Sequence, residues 1–162
     1  MSSTPTPFLL GEFQRTLDDR YRLVIPSELG DVLCAESLEC ILAKERPGCL
    51  SLWSAPVWQS KLEEGVALVQ QKMRAGKLEG RIGQVQMLGR LLSTRHKTVQ
   101  LAGRGRLLIP EGFREFLGVE PGGEVLVIGA AVCVELWKPA VWIAYLQRRM
   151  PRFRKLFDRL AQ

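Results

Sequence analysis

Two short turns of this chain each carry a pair of arginines, Arg20 with Arg22 and Arg104 with Arg106. A guanidinium offers planar donors that fit phosphate oxygens or the O6 and N7 acceptors of guanine. Because alternate strand positions point to one face, we expect both guanidiniums of a pair on the same side. This spacing suits contact with a nucleic acid. The residue types alone favour the other interpretation, a solvated pair in which Asp18 bonds Arg22 across the turn.

The sequence gives little support for a catalytic function. The only histidine, His96, stands between two cations with no nucleophile at a useful spacing, and P-loop, H-E-x-x-H and Ser/His/Asp patterns are absent. The four cysteines include no C-x-x-C pair and no histidine lies near them, so the sequence predicts no metal site. We therefore expect no enzyme activity, no cofactor and no small-molecule substrate. The cysteines are Cys34, Cys40, Cys49 and Cys133.

Both turns belong to an internal repeat with a constant offset of 84 residues. Residues 17–58 align without a gap with residues 101–142, and 14 of the 42 positions are identical. Around the turns the shared residues are Leu, Arg, Arg, Leu, Ile and Pro, and a buried core does not require the two cations. The repeat favours two small units, and units of that size are marginally stable alone. We therefore expect the halves to share a core or the chains to associate.

Each half is predicted to contain a strand, a turn, a second strand, a short helix and a hairpin. Apolar and polar residues alternate before each turn, and a proline at the first helical position, Pro26 or Pro110, opens each short helix. Apolar residues at helical spacing predict further helices over about 56–73 and 82–94. Pro151 is expected to break the C-terminal helix. The tryptophans recur at repeated positions, which indicates packing.

The composition is typical of a folded protein: the chain has 162 residues, a mean hydropathy of 0.00 and 46% hydrophobic residues. No apolar run approaches the roughly 18–20 residues that span a bilayer, and the N-terminus lacks the cationic and apolar regions of a secretory signal. We expect a cytoplasmic protein with no membrane partner. The Pro/Thr-rich segment 1–9 is predicted to be disordered.

The net charge of +6 is unevenly distributed. Residues 1–58 hold five Lys/Arg and eight Asp/Glu, whereas residues 139–162 hold six and one. The basic total permits nucleic-acid binding, but it does not place that binding in the first repeat. For the basic C-terminal segment, a solvated helix face, non-specific DNA attraction and a subunit contact all stay open.

The repeated pattern resembles the MraZ family. The resemblance covers about residues 10–142 and depends on the turn signature, the following Ile-Pro, the L-x-W strand and the helix tryptophan, each present twice. It implies an α+β fold, in which two tandem SpoVT-AbrB-like units form a swapped-hairpin β-barrel with flanking helices. It also implies a sequence-specific transcriptional regulator of the nucleoid. Such a regulator binds tandem repeats in the promoter of a division and cell-wall gene cluster, as a homo-oligomeric ring on double-stranded DNA.

The family signature D-x-x-x-R, linked to DNA contact, falls on Asp18 and Arg22. Two departures stand out: Tyr21 replaces the usual glycine, which implies strain if the turn needs a glycine conformation, and Ala102 replaces the second aspartate. Arg15, on the preceding strand, extends the patch. The predicted DNA-binding residues are Arg15, Asp18, Arg20, Arg22, Arg104 and Arg106.

The resulting organisation has five segments. They are a disordered tail (1–9), a first repeat (10–58), a helical connector (59–94), a second repeat (95–142) and a basic C-terminal helix (143–162). Two other functions stay open: an oligomeric assembly or adaptor protein that binds no operator, and an RNA binder with little sequence preference.

Overall fold

A computed structural model describes residues 8–162, so the predicted disorder of residues 1–7 lies outside the described residues. The strand that follows begins at Leu9, which is buried and pairs with Ala131. The prediction that the disordered tail extends to residue 9 was therefore wrong, because burial of the Leu9 side chain in the core stabilises the ordered strand.

The fold is a mixed α+β arrangement of eight strands and six α-helices over residues 8–162. Its first half contains β1 (Leu9–Thr16), β2 (Arg22–Val24), α1 (Ser27–Leu33), β3 (Glu39–Arg46), β4 (Cys49–Ser54), α2 (Ala55–Arg74) and α3 (Ile82–Thr94). Its second half contains β5 (His96–Gln100), β6 (Arg106–Leu108), α4 (Glu111–Leu117), β7 (Glu124–Ala131), β8 (Val134–Trp137), α5 (Pro139–Arg149) and α6 (Phe153–Ala161).

Six strands form one antiparallel sheet in the order β1-β7-β8-β4-β3-β5. β1 of the first half pairs with β7 of the second, and β5 of the second half pairs with β3 of the first. Each half thus adds its first strand to the hairpin of the other half. The two hairpins meet where β4 pairs with β8.

The remaining strands, β2 and β6, pair with each other in a separate two-stranded ribbon. The predicted closed barrel is not present in the hydrogen-bond pattern of residues 8–162, because β1 and β5 remain the two edges of the larger sheet. Closure requires every strand to pair on both sides. The three-residue strands β2 and β6 pair only with each other and do not join those edges.

The two halves share one hydrophobic core, as expected for units too small to be stable alone. The repeated leucines Leu17 and Leu101 lie in it, and so do Leu23 and Leu107 from the ribbon. Because β1 and β5 are exchanged, neither half can keep this core without the other. The division of the chain into five segments stays a prediction.

The long helices follow the predicted apolar spacing, but several of their apolar side chains remain exposed. The interruption expected at Pro151 is present as a 3-10 turn over Met150–Arg152, between α5 and α6. In the part of the chain described, no helix is both long and apolar enough to cross a bilayer. The exposed apolar side chains include Leu68, Ile82, Met87, Leu91, Phe153, Leu156, Phe157 and Leu160.

The tryptophans pack as predicted. The rings of Trp53 and Trp58 lie 5.7 Å apart, and those of Trp137 and Trp142 lie 5.1 Å apart. Each pair attaches the start of a helix, α2 or α5, to the strand before it. The repeat therefore preserves a packing unit in both halves.

Candidate nucleic-acid interface

Asp18 organises the first turn. Its Oδ1 accepts hydrogen bonds from the backbone N–H groups of Arg20 (2.9 Å) and Arg22 (2.8 Å). Its Oδ2 accepts from Arg22 Nε at 2.9 Å, so the Asp18–Arg22 bond of the solvated-pair interpretation is present. The backbone hydrogen bond from Arg22 is the largest cause that lowers the pKa of Asp18. The ionised carboxylate thus holds the turn and orients one guanidinium.

This geometry predicts a pH dependence. A carboxyl whose folded pKa lies below its usual value of 3.8 adds stability above that pH and loses it as the pH falls through the folded value. We expect Asp18→Asn to lower the melting temperature at neutral pH and the difference to narrow below pH 3.8. Thermal melts against pH check this. Asp19→Asn, at the exposed next position, makes the same charge change and should not alter the profile.

Tyr21 adopts the left-handed conformation that the sequence assigned to glycine, with φ 59°, and Gly105 in the second turn has φ 77°. The two positions are bonded reciprocally across the halves: Ile109 N donates to Tyr21 O at 2.9 Å and Ile25 N donates to Gly105 O at 2.8 Å. A Cβ on Gly105 would lie 2.6 Å from Ile25 O. Glycine is therefore required only in the second turn, and the first tolerates Tyr21 despite the unfavourable φ.

The ring of Tyr21 is held by Arg114, whose Cζ lies 4.2 Å from the ring centroid. Arg114 Nε also donates to Ile109 O at 2.9 Å, which fixes the guanidinium over the ring. A cation–π contact of this kind contributes about 0.5–1 kcal/mol at an exposed site. It offsets part of the cost of the positive φ.

We expect Tyr21→Ala to lower the free energy of unfolding by about 1 kcal/mol, because Arg114 no longer has a ring to stack on while the backbone strain remains. Tyr21→Phe keeps the ring and should stay within about 0.5 kcal/mol of the parent chain. Urea denaturation of the three chains measures the difference. Equal losses in both variants would show that Arg114 does not stabilise the turn through the ring.

The ribbon brings one arginine of each turn to a common surface. Arg22 pairs with Leu108 and Val24 pairs with Arg106, while Leu23 and Leu107 pair between them. Leu23 and Leu107 are buried, so the alternation of the strands turns the other four side chains outward. Arg22 and Arg106 occupy diagonal corners of this face, and strand geometry places their Cα atoms roughly 8 Å apart. We call Arg22, Val24, Arg106 and Leu108 the ribbon face.

The second turn carries its charge without a carboxylate partner. Ala102 replaces the aspartate, and the turn closes through backbone bonds such as Ala102 N to Arg106 O at 2.8 Å. Arg104 is exposed and has φ 66°, and Arg106 Nε has a 3.4 Å bond to Gly103 O. In the first turn Asp18 and Asp19 balance the two arginines. The second turn is thus the more cationic of the two.

Arg20 and Arg15 lie differently from the sequence-based expectation. Arg20 belongs to the turn and β2 begins only at Arg22, so strand alternation does not align these two side chains. Arg15 on β1 is half-buried and lines a cavity shared with the second turn, including Arg104. Arg15 thus faces the same cavity as the second turn. Glu28 and Asp31 of α1 line the same cavity and oppose its positive charge.

A polar cluster lies on the face of the large sheet that is opposite the shared core. Ser51 Oγ donates to Glu45 Oε1 at 2.5 Å and accepts from Trp53 Nε1 at 2.8 Å. At the equivalent repeat position, Glu135 accepts from Trp137 Nε1 at 3.0 Å, and burial raises the pKa of Glu135. The cluster was not predicted, since its members differ between the repeats. Its hydrogen bonds orient the two indoles.

Comparison with known proteins identifies the family. A chain from Methylobacillus flagellatus, "Transcriptional regulator MraZ", is 33% identical over 141 residues, which cover 86% of this chain and 87% of that protein. The chain belongs to the MraZ family. A family model described as "MraZ protein, putative antitoxin-like" matches residues 94–162 of this MraZ-family chain.

Other MraZ proteins match over a similar length. The "Transcriptional regulator MraZ" of Thermus thermophilus is 32% identical over 135 residues, covering 82% of this chain and 83% of that protein. That of Moorella thermoacetica is 24% identical over 151 residues, covering 93% and 95%. A solution structure from Pyrococcus horikoshii overlaps with a TM-score of 0.32 at 13% identity, covering 80% of this chain and 90% of that one. The predicted resemblance to MraZ is confirmed, and these relatives are named as transcriptional regulators.

Proposed function

We propose that this chain regulates transcription by binding double-stranded DNA through the ribbon face and the two turns beside it. The observation that carries the proposal is the pairing of β2 with β6, which places Arg22 and Arg106 at diagonal corners of one two-stranded ribbon. A two-stranded β-ribbon fits the major groove of B-DNA, where arginine pairs with guanine O6 and N7. Val24 and Leu108 are apolar and exposed, which suits contact with a thymine methyl group.

The proposal assigns different roles to the six predicted residues. Arg22 and Arg106 contact base edges or phosphates from the ribbon. Asp18 positions Arg22 by accepting hydrogen bonds from both its backbone N–H and its Nε. Arg20 and Arg104, at the exposed turns, contact the phosphate backbone. Arg15 adds a cation from β1 to the cavity that the second turn also lines.

A single ribbon offers few cations, and this limits its affinity. Each neutralised phosphate adds about −0.9 to the slope of log K against log salt concentration. We propose that the chain assembles into a homo-oligomeric ring that places several ribbons on tandem repeats of a promoter in the cytoplasmic nucleoid. Linked sites then gain affinity through effective concentration, without stronger individual contacts.

Footprinting of the DNA upstream of the chain's own gene, combined with mass photometry, tests this proposal. The expected result is protection of regularly spaced short repeats by an oligomer, with a salt slope larger than one ribbon can supply. Binding with equal affinity to unrelated duplex of the same length would contradict sequence-specific regulation.

The second function is an oligomeric assembly or adaptor protein that binds no operator. The exposed apolar side chains of α6, which include Phe153, Phe157 and Leu160, favour it. Truncation after Arg149 removes α6 and keeps Tyr145, which packs on Trp137 at 5.0 Å. If operator binding is absent in the full chain while assembly depends on α6, the adaptor function is the correct one.

A further inference from the structure

Two thiols lie close enough to react with each other. The Sγ atoms of Cys34 and Cys40 are 3.8 Å apart, and both residues are free cysteines. Cys34 is half-buried at the end of α1, and Cys40 is fully buried in β3. An S–S bond is about 2.05 Å long. Rotation about the side-chain bonds, helped by the irregular segment 35–38 between the two elements, can close the remaining gap.

We propose that Cys34 and Cys40 are an oxidative modification site, which a small-molecule disulfide converts into an intramolecular disulfide in the folded chain. The proposal does not depend on DNA binding. The two cysteines do not have the spacing of a C-x-x-C redox motif, because five residues separate them.

The reaction is a double thiol–disulfide exchange. The half-buried Cys34 loses its proton, and its sulfur attacks the oxidant's S–S bond, forming a mixed disulfide and releasing one thiol of the oxidant. Cys40 then loses its proton and attacks the Cys34 sulfur, which releases the second thiol. The protein gives up two protons and two electrons, and the oxidant leaves as two thiols.

Burial sets the rate of this exchange. Desolvation raises the pKa of Cys34 above its usual value and raises that of Cys40 to about 12. Since the thiolate is the attacking form, oxidation is slow at neutral pH and becomes faster as the pH rises. The site therefore suits a sustained oxidising condition better than a brief one.

The disulfide would tether the elements that support the second turn. It closes residues 34–40 into a loop that ties the end of α1 to β3. Two contacts connect α1 to the second turn. Just before the helix, the Ile25 N–H donates to Gly105 O. At its other end, Cys34 lines a cavity of about 600 Å³ together with Gly103 and Arg104. Closing a loop of this length should raise the melting temperature by about 5 °C.

The test uses the full chain and oxidised glutathione at pH 8, followed by alkylation of free thiols and tryptic digestion without reduction. Cys34 and Cys40 lie on one tryptic peptide, residues 23–44, which has no other cysteine. The expected peptide carries no alkyl group and has lost two hydrogens. A glutamate-specific protease, which cuts after Glu28, Glu36 and Glu39, then separates the Cys34 fragment from the Cys40 fragment, and the disulfide holds these two together until a reductant is added.

Controls separate this site from general oxidation. Cys133→Ser removes a buried thiol from the turn between β7 and β8 and should leave the disulfide and the rise in melting temperature unchanged. Cys34→Ser should abolish both. Recovery of a fully alkylated 23–44 peptide from the folded parent chain, or of a stable glutathione adduct on Cys34, would overturn the proposal.

Discussion

Replacing both Arg22 and Arg106 with alanine is expected to weaken binding of the promoter duplex by about a hundredfold or more. One specific arginine contact contributes about 1–3 kcal/mol, and the two side chains lie at opposite corners of the ribbon face. Fluorescence anisotropy at fixed salt concentration measures the affinity. Repeating the titration at several salt concentrations should give a slope that is smaller by about 0.9 for each phosphate that the variant no longer neutralises.

The single variants should differ, because only Arg22 has a carboxylate partner. Arg22→Ala removes a DNA contact and also leaves Asp18 ionised and unpaired beside the DNA, where the carboxylate repels the phosphates. Arg106→Ala removes a cation whose one side-chain bond is the 3.4 Å contact to Gly103 O. We therefore expect the larger effect for Arg22→Ala and partial recovery in the double variant Asp18→Ala/Arg22→Ala.

A charge-matched control excludes a general electrostatic effect. Arg90→Ala removes one exposed cation from α3, away from the ribbon. It should change the affinity less than twofold. If Arg90→Ala and Arg106→Ala weaken binding equally, the duplex responds to total charge, and the ribbon face is not the contact surface.

Local structure was predictable from local chemistry. Pro26 and Pro110 each mark the start of a short helix, but they lie at the N-cap, one residue before the predicted first helical position. Asp18 lies four residues before Arg22 in a turn, and the predicted ion pair is present. Each of these features depends on residues within one turn of one another.

Strand exchange was not predictable in this way. β1 reaches its partner β7 more than a hundred residues later in the chain, for example through Phe13 and Val127. Nothing in the alternation of β1 distinguishes its own hairpin from the equivalent hairpin of the other repeat, because the two are similar in sequence. Packing around the shared core decides which of the two hairpins β1 pairs with.

The ribbon face was missed for the same reason. The sequence places Arg22 and Arg106 in separate turns 84 residues apart, and only the pairing of β2 with β6 brings them to one surface. Long-range contact also explains Tyr21. A tyrosine at this position predicts backbone strain, and the contact that offsets it comes from Arg114 on α4 of the other repeat.

Leu107→Ala is expected to lower the free energy of unfolding by about 2–5 kcal/mol, the usual cost of removing a fully buried leucine side chain. Leu107 is 0% exposed and faces Leu23, itself 1% exposed, across the centre of the ribbon. The substitution leaves a cavity where the two halves meet. Urea denaturation, with the midpoint and the slope fitted together, measures the destabilisation.

Leu108→Ala is the matched control, since the neighbouring leucine is 51% exposed on the ribbon face. It should change stability by less than about 0.5 kcal/mol and still weaken DNA binding, because it shortens an apolar side chain that faces the groove. Leu107→Ala should weaken DNA binding only at temperatures where the chain begins to unfold. If Leu108→Ala destabilises the chain as much as Leu107→Ala, Leu108 is covered in the assembled protein, and the ribbon face is a subunit contact rather than a surface open to DNA.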